Sequence, residues 1–275
     1  MSGIEVKEYA ARRSRVCRAL RGAAGLVMAG NPVGEGCRWR PHGHFEYLTG
    51  LADEPGAMLL LDPGHPVVAQ RQVLLLAPRD PEREQWEGQR LPIGSTLRDR
   101  TGIAKIHRTG ATGSLLQAVA PRAKALACLH PPASIDTACS ADLAMWRKVA
   151  DRTPEVEIVD RSAIIPAMRA VKSPSEVRMI SRAAGITCDA FASTIAAIEP
   201  GMREREIQSL LEHAYVMGGG GDPAFSTIVG SGLASTVLHY DANDAIMEDG
   251  TLICIDSGAR FGSYGADVTR TVPAS

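Results

Sequence analysis

Two aspartates near the carboxyl end of the chain stand where a pair of carboxylates could do chemistry. Asp256 follows the short apolar run 252–255, and Asp267 precedes a run rich in β-branched residues, 268–272. Glycines lie between the runs, and two β-prone runs around a glycine-containing connection predict a β-hairpin. Opposed residues on one face of an antiparallel pair hold their Cβ atoms about 5 Å apart, so we expect the two carboxylates to lie close together.

Carboxylates at that spacing repel each other unless one is protonated or a cation lies between them. Oxygen ligands on a rigid hairpin suit hard divalent ions such as Mn²⁺ or Mg²⁺, and a carboxylate can bridge two metal ions about 3.5–4 Å apart. The alternative is that Asp256 and Asp267 only end and begin strands at a solvated turn. The two residues alone leave both interpretations open.

Two helices are predicted ahead of the hairpin. The sequence SPSE at 173–176 has a serine N-cap, a proline at the first helical position and a glutamate at the third, which predicts a helix start. The periodicity predicts one apolar face, ended by the Pro-Gly pair at 200–201, with these members: Val177, Ile180, Ala184, Cys188, Phe191, Ile195 and Ile198. A second helix has a predicted buried side of Ile207, Leu210, Leu211, Ala214 and Met217. A strand at 225–230 and a polar loop that contains His239 then lead to the hairpin.

The first part of the chain alternates strands and helices. Strands are predicted at 25–29, 57–61, 73–77, 124–129 and 155–159, and helices at 4–20, at 112–120 and after an N-cap at Asp136. Such alternation is typical of an α/β domain with a largely parallel or mixed sheet. We place its boundary with the second part near 166–173.

Two other places carry residues that could bind a metal ion or a substrate. His42 and His44 form a His-x-His pair flanked by proline and glycine, and this pattern favours a solvated loop over a metal site. Trp86 lies in the charged run 79–91. An aromatic side chain there could form the wall of a substrate pocket, with packing or a subunit contact as the alternative.

Composition excludes several classes of protein. Hydrophobic residues make up 45% of the 275 residues and charged residues 22%, which is typical of a globular chain rather than a disordered or fibrous one. The net charge of −1 predicts no general attraction to nucleic acid or to an anionic membrane. No signal peptide or membrane span is predicted. The six cysteines show no Cys-x-x-Cys spacing, so we expect reduced, mostly buried thiols and a cytoplasmic protein.

Five segments, in this order, resemble the first half of the catalytic domain of aminopeptidase P and its creatinase and prolidase relatives, the pita-bread metallohydrolases. They are KSPSEVRMISRAAGI at 172–186, IEPGMREREI at 198–207, PAFSTIVGSGLASTVLHYDAND at 223–244, LICIDSGA at 252–259 and ADVTRT at 266–271. The segments EYLTGL at 46–51 and PGAMLLL at 55–61, with the run around Trp86, are similar to the amino-terminal domain of aminopeptidase P.

The resemblance implies an amino-terminal creatinase/prolidase-type α/β domain at 1–165 and the first half of a pita-bread α+β catalytic domain at 166–275. It assigns Asp256 as a ligand of one metal ion and Asp267 as a ligand of two, with two divalent ions of the Mn²⁺ class as cofactors. It places the family's catalytic histidine at His239, where the side chain could donate a hydrogen bond to the substrate carbonyl or the tetrahedral intermediate.

The chain departs from the family's pattern at its end. In the family, one histidine and two glutamates further along complete the metal site, whereas only eight residues follow Asp267 here, and none is His or Glu. The resemblance therefore implies a chain truncated within the catalytic domain, with an incomplete set of metal ligands.

The activity implied by the resemblance is removal of an amino-terminal residue that precedes proline, so the expected partner is a peptide with proline at its second position. A homo-oligomer is also expected, with neither nucleic acid nor membrane as a partner. Two alternatives stay open. One is creatinase-like or prolidase-like hydrolysis, and the other is a non-catalytic fragment or truncated homologue.

Overall fold

The computed structural model describes residues 3–32 and 39–275. These residues form two compact units, one from Ile4 to Val171 and one from Lys172 to Ser275 together with Gly3. The predicted domains, 1–165 and 166–275, divide the chain a few residues earlier than these two units do. That assignment of domains stays a prediction.

The first unit contains a mixed sheet with helices. Its helices are α1 (Val6–Ala19), α2 (Gly43–Thr49), α3 (Pro81–Glu87), α4 (Ser95–Thr101), α5 (Thr112–Val119), α6 (Ala141–Ala150) and α7 (Ile164–Ala170). Its strands are β1 (Ala24–Met28), β2 (Met58–Leu61), β3 (Gln72–Leu76), β4 (Lys105–Arg108), β5 (Leu126–Cys128) and β6 (Ile158–Asp160). In the described part of the chain their order is β4-β3-β2-β1-β5-β6, with β2 antiparallel to both of its neighbours and the other pairs parallel.

Both faces of this sheet are covered by apolar residues. Neighbouring residues of β1 belong to different clusters, because Leu26 packs with Trp146 on one face and Val27 packs with Phe45 on the other. Successive side chains of a strand point to opposite faces, so strands buried on both sides read as continuous apolar runs. This explains why MLLL and QVLLL could be identified as strands from the sequence.

Helix α6 begins later than its sequence suggested. Ser140 is its N-cap, and Asp136 lies before the helix in an exposed stretch, so the predicted cap was wrong. Asp142 in the first turn is fully buried and accepts hydrogen bonds from the amides of Leu129 and His130. Asp142 thus binds the backbone directly after β5, a contact between distant segments that the local sequence could not predict.

The expectation of a solvated loop for the His-x-His pair was wrong. His42 is the N-cap of α2, and His44 inside that helix is only 4% exposed. Both rings pack with His130, since the ring centroids of His42 lie 4.6 Å from His44 and 4.4 Å from His130. Arg169 is also in contact, with Nη1 3.1 Å from His44 Nδ1.

This histidine cluster predicts an acid-sensitive first unit. Burial, with the adjacent imidazoles, lowers the pKa of His42 to about 4 and that of His44 to about 3, and burial also lowers the pKa of His130. The pKa of a histidine in an unfolded chain is about 6.5. Below that pH the unfolded chain binds more protons than the folded one, so the stability falls as the pH decreases from about 6.5 toward 4.

Urea unfolding at pH 7 and pH 4.5, followed by tryptophan fluorescence, measures this effect, because Trp39, Trp86 and Trp146 all lie in the first unit. From pH 7 to pH 4.5 the free energy of unfolding should decrease in both proteins, and we expect the decrease to be about 1–2 kcal/mol smaller in His44→Gln than in the parent chain. His65→Gln is the matched control, since His65 lies outside the cluster. An equal loss in the parent and in His44→Gln would contradict the assignment.

The second unit packs two helices on an antiparallel sheet. Its helices are α8 (Pro174–Ile195) and α9 (Glu204–Met217). Its strands are β7 (Ile228–Ser231), β8 (Leu252–Ser257), β9 (Arg260–Phe261), β10 (Tyr264–Gly265) and β11 (Val268–Pro273). Among the described residues β8 is the central strand of the order β11-β8-β7, and β9 pairs with β10 as a small separate ribbon between β8 and β11.

The predicted capping box at the start of α8 is confirmed. The amide of Glu176 donates to Ser173 Oγ, and the carboxylate of Glu176 accepts from the amide of Ser173. Phe191 and Ile198 of the predicted apolar face are buried as expected, but nearer the start of the helix the buried stripe is rotated by about one residue, or about 100°. The buried stripe instead includes Met179, Ala183, Ile186 and Ala190, while Val177 is 50% exposed.

Helix α9 buries only part of its predicted face. Ile207 and Leu211 are fully buried as expected, but Leu210 is 38% and Met217 72% exposed. Tyr215 takes their place in the core, together with the sheet residues Ile253 and Ile255.

Two remaining sequence expectations concern membranes and cysteines. None of the helices in the described ranges is long and apolar enough to cross a bilayer. The five described cysteines are free thiols, but Cys139 and Cys188 are exposed and the other three are half-buried, so the expectation of mostly buried thiols was wrong. Cys37 lies outside the described residues.

Candidate metal and catalytic site

Asp256 is positioned by the alternation of strand β8. Ile253, Ile255 and Ser257 face the core and are fully buried, so Cys254 and Asp256 point to the opposite face. Strand β8 has partners on both sides, and Asp256 pairs with Ile228 of β7 and with Thr269 of β11. A central strand of this kind holds the carboxylate on a fixed backbone.

Asp267 lies on the same face as Asp256 but is not opposite to it. Because Asp256 pairs with Thr269, Asp267 occupies the diagonal position two residues away. Diagonal neighbours are about 7–8 Å apart rather than about 5 Å, so the expected direct opposition is corrected. The small β9–β10 ribbon between the strands sets this register, and a diagonal pair leaves more room for cations between the carboxylates.

The backbone beside the two aspartates is tightly packed. A Cβ atom on Gly258 would lie 1.9 Å from the carbonyl oxygen of Ala266 and 3.0 Å from the amide nitrogen of Asp267. The buried hydroxyl of Thr187 on α8 accepts a hydrogen bond of 2.8 Å from the amide of Ala259. These contacts fix where the chain leaves β8 and where it enters β11.

His239 lies in a turn after β7 and a 3₁₀ segment, Gly232–Thr236. Its side chain is exposed. The segment is attached to β7 by Asn243, a buried residue whose Oδ1 accepts from the amide of Val229 and whose Nδ2 donates to the carbonyl of Thr227. Asn243 has a positive φ of 48°, a conformation that asparagine tolerates better than most residues.

The three residues assigned from the sequence meet at one cavity of about 440 Å³. Asp256, Asp267 and His239 all line it, although they come from β8, from the residue before β11 and from the turn after β7. The other lining residues are Phe225, Ser226, Ile228 and Asp241. Sequence reasoning missed Asp241, a third carboxylate, and its position two residues after His239 was the available signal.

The donor set fits a hard divalent cation. Oδ1 of Asp256 is buried and has no hydrogen-bond partner within the described residues, which is costly for a carboxylate unless a cation or proton takes that place. Carboxylate oxygens are the ligands that such cations prefer. Within 3–32 and 39–275 no three His, Cys, Asp or Glu side chains lie close enough together to hold a metal ion.

Trp86 belongs to the first unit, whereas the residues that line this cavity belong to the second. It lies on α3 and is 89% exposed. Its suggested contact with substrate stays a prediction.

Both units match known protein families. Residues 9–127 match the family described as aminopeptidase P, N-terminal domain. Residues 178–275 match metallopeptidase family M24, so the second unit is a domain of the M24 metallopeptidase class.

Similar proteins cover the whole chain. The Xaa-Pro aminopeptidases of Haemophilus influenzae and Escherichia coli are 28% and 29% identical over 100% of the chain, which spans 62% and 64% of their lengths. Over its whole length the chain is thus similar to aminopeptidase P. A Xaa-Pro dipeptidase of Pyrococcus horikoshii is 38% identical over 109 residues, which are 40% of the chain and 31% of that protein.

Solved structures agree with this assignment. Pseudomonas aeruginosa aminopeptidase PepP has a TM-score of 0.86 and 29% identity over 100% of this chain and 63% of its own. Aminopeptidase P from Escherichia coli with the inhibitor Pro-Leu has a TM-score of 0.85 and 27% identity over 99% of this chain and 63% of its own. The predicted fold, an amino-terminal α/β domain followed by part of a pita-bread domain, is confirmed.

Proposed function

We propose that this chain is part of a metal-dependent aminopeptidase that removes an amino-terminal residue preceding proline. The observation that supports this most is the meeting of His239, Asp256 and Asp267 at one cavity. Two carboxylates, one on β8 and one directly before β11, with an exposed histidine at the same cavity suit the hydrolysis of a peptide bond at a metal centre.

Asp256 and Asp267 would hold the cofactor, which we propose to be two divalent ions of the Mn²⁺ class. Asp256 would serve one ion and Asp267 both. When bound, such ions supply an activated water and polarise a carbonyl group. Asp241 lines the same cavity, but among the described residues it does not form a three-residue ligand group with this pair.

The other lining residues would bind and orient the peptide. His239 is exposed at the cavity, so its imidazole can donate a hydrogen bond to the scissile carbonyl oxygen. Phe225 and Ile228 offer an apolar wall for the peptide. A substrate contact by Trp86, a homo-oligomer and a cytoplasmic location remain part of the proposal.

A hybrid chain provides the test of function. This hybrid chain consists of residues 1–275 joined to a segment of the Escherichia coli Xaa-Pro aminopeptidase. The segment begins directly after the region of that protein that is similar to residues 1–275. We expect Mn²⁺-dependent cleavage of Xaa-Pro peptides by the hybrid chain and none by residues 1–275 alone, because two carboxylates hold divalent ions loosely. Turnover by residues 1–275 at a rate near that of the hybrid chain would contradict the ligand assignment, and an inactive, well-folded hybrid chain would contradict the function.

The bridging role of Asp267 makes a separate prediction. In the hybrid chain, Asp267→Asn should weaken Mn²⁺ binding at least about tenfold more than Asp256→Asn, because a bridging carboxylate serves two cations. Mutation of even a group that only orients a metal ligand lowers metal affinity roughly 10–100-fold. Calorimetric titration measures both variants, and equal losses would argue against the bridging assignment.

A second candidate activity is prolidase-like cleavage of Xaa-Pro dipeptides. It is favoured by the 38% identity to the Pyrococcus horikoshii dipeptidase over 109 residues. Comparing the hybrid chain on Xaa-Pro dipeptides and on longer Xaa-Pro peptides separates the two activities.

A further inference from the structure

The segment 231–245 carries His239 to the cavity and is mostly exposed. Leu238 is 88% exposed and His239 also faces solvent, so apolar packing contributes little to holding this part of the segment. An exposed loop without other restraints would sample many conformations, and a catalytic side chain on it would be poorly placed.

A buried carboxylate on a different element contacts both ends of this segment. Glu204, in the first turn of α9, is 0% exposed. Its Oε1 accepts from the amide of Ser231 at 2.6 Å and from Ser231 Oγ at 2.7 Å. Its Oε2 accepts from the hydroxyl of Tyr240 at 3.0 Å and from the amide of Ala245 at 3.1 Å.

These four hydrogen bonds match what a buried carboxylate requires. An ionised carboxylate only accepts, and its two oxygens offer about four acceptor sites. Hydrogen bonds to a charged acceptor are also roughly twice as strong as neutral ones. Glu204 therefore holds the beginning and end of the segment and, through Tyr240, the residue next to His239.

An acidic side chain in a first helical turn ordinarily serves its own helix, by capping it or by favouring the positive end of the helix dipole. In α9 the reciprocal capping contact is made by Glu206, whose Oε2 accepts from the amide of Arg203 at 2.7 Å. The contacts of Glu204 go instead to Ser231, Tyr240 and Ala245. Capping thus does not account for Glu204.

We propose that Glu204 is a positioning residue for His239, acting through the hydroxyl of Tyr240. Partial burial, together with the hydrogen bond to Glu204, raises the pKa of Tyr240, so the phenol remains a donor to the carboxylate at neutral pH. This inference rests on the proposed function for its catalytic meaning, but the placement of His239 can be measured without any activity.

Glu204→Gln removes one acceptor while conserving shape. Whichever way the amide turns, its NH₂ group faces either the two donors of Ser231 or those of Tyr240 and Ala245. Tyr240→Phe is the milder variant, since it removes one hydroxyl and leaves three donors on the carboxylate. It keeps the inference testable if Glu204→Gln does not fold.

NMR of the 275-residue chain labelled with ¹³C-histidine gives the direct readout, with the His239 signal assigned by its loss in His239→Gln. In Glu204→Gln we expect this signal to move to the shift and narrow width of a mobile histidine, with a smaller change in the same direction in Tyr240→Phe. Exchange of the Ser231 and Ala245 amides with solvent should accelerate at least about tenfold in Glu204→Gln, as expected for the loss of hydrogen bonds to a charged group.

Two controls separate positioning from a general loss of charge or stability. Glu206→Gln removes the same charge two residues away, and glutamine can still cap the helix. Ile207→Val weakens the same helix from its buried side, since Ile207 is 0% exposed. The His239 signal should be unchanged in both controls. An unchanged signal in Glu204→Gln and Tyr240→Phe, or an equal change in the controls, would overturn the inference.

Activity of the hybrid chain is measured separately. If it cleaves Xaa-Pro peptides, Glu204→Gln should lower kcat about tenfold or more with little change in KM and in metal content. A displaced His239 in Glu204→Gln with no cleavage by the parent hybrid chain would leave the positioning contact standing and would instead refute the proposed function.

Discussion

His239→Ala in the hybrid chain is expected to lower kcat by a factor of hundreds while the metal content stays unchanged. His239 lies at the cavity with Asp256 and Asp267 but is exposed in a turn rather than fixed on the sheet. That placement suits a donor to the developing oxyanion better than a metal ligand. Removing one such donor typically costs about 3–4 kcal/mol in the transition state.

Steady-state kinetics on a Xaa-Pro peptide, with metal analysis of the same samples, checks this prediction. His213→Ala is the matched control, because His213 is exposed on α9 and does not line the cavity. A metal-depleted His239→Ala protein would make His239 a ligand, and a kcat within a few-fold of the parent value would remove it from the chemistry.

Gly258→Ala should destabilise the second unit by roughly 3 kcal/mol or more, among the largest effects of a single methyl group. The added Cβ would lie 1.9 Å from the carbonyl oxygen and 2.4 Å from the carbonyl carbon of Ala266. These are backbone atoms, so a rotamer change cannot relieve the contact. The chain on either side carries Asp256 and Asp267, so the displacement would also disturb their spacing.

Urea unfolding followed by far-ultraviolet circular dichroism tests Gly258→Ala in the 275-residue chain. Gly185→Ala is the control, since an alanine Cβ there would meet no atom within 4 Å and the site is exposed inside α8. That control should gain about 0.5–1 kcal/mol through helix propensity. A Gly258→Ala protein as stable as the parent would contradict the close approach of the two chain segments.

Features that depend on neighbours in sequence could be predicted. The capping box at Ser173 and Glu176 and the apolar runs of the first sheet are local patterns, and the structure contains them. The hairpin strands around Asp256 and Asp267 were also expected, because β-prone runs around glycines leave few alternatives.

Features set by distant partners could not be predicted. The burial of His44 depends on His130, which lies 86 residues further along the chain, and the burial of Glu204 depends on the segment 231–245. Helix α8 is rich in alanine and offers two apolar stripes one residue apart, so only packing on the sheet decides that Met179 rather than Val177 is buried.

The diagonal relation of Asp256 and Asp267 illustrates the same limit within the site. A one-residue slip of register exchanges the faces of a strand, so the shared face was the robust part of the prediction. The exact pairing with Thr269 depends on the β9–β10 ribbon, whose four residues carry no distinctive pattern.

Anomalous diffraction from crystals of the hybrid chain grown with Mn²⁺ shows where the metal ions lie relative to Asp256 and Asp267. We expect anomalous peaks in the cavity beside His239, each within coordination distance of a carboxylate oxygen of Asp256 or Asp267, with Asp267 contacting both ions. Peaks located away from these two carboxylates, or peaks that persist undiminished in Asp267→Asn, would contradict this expectation.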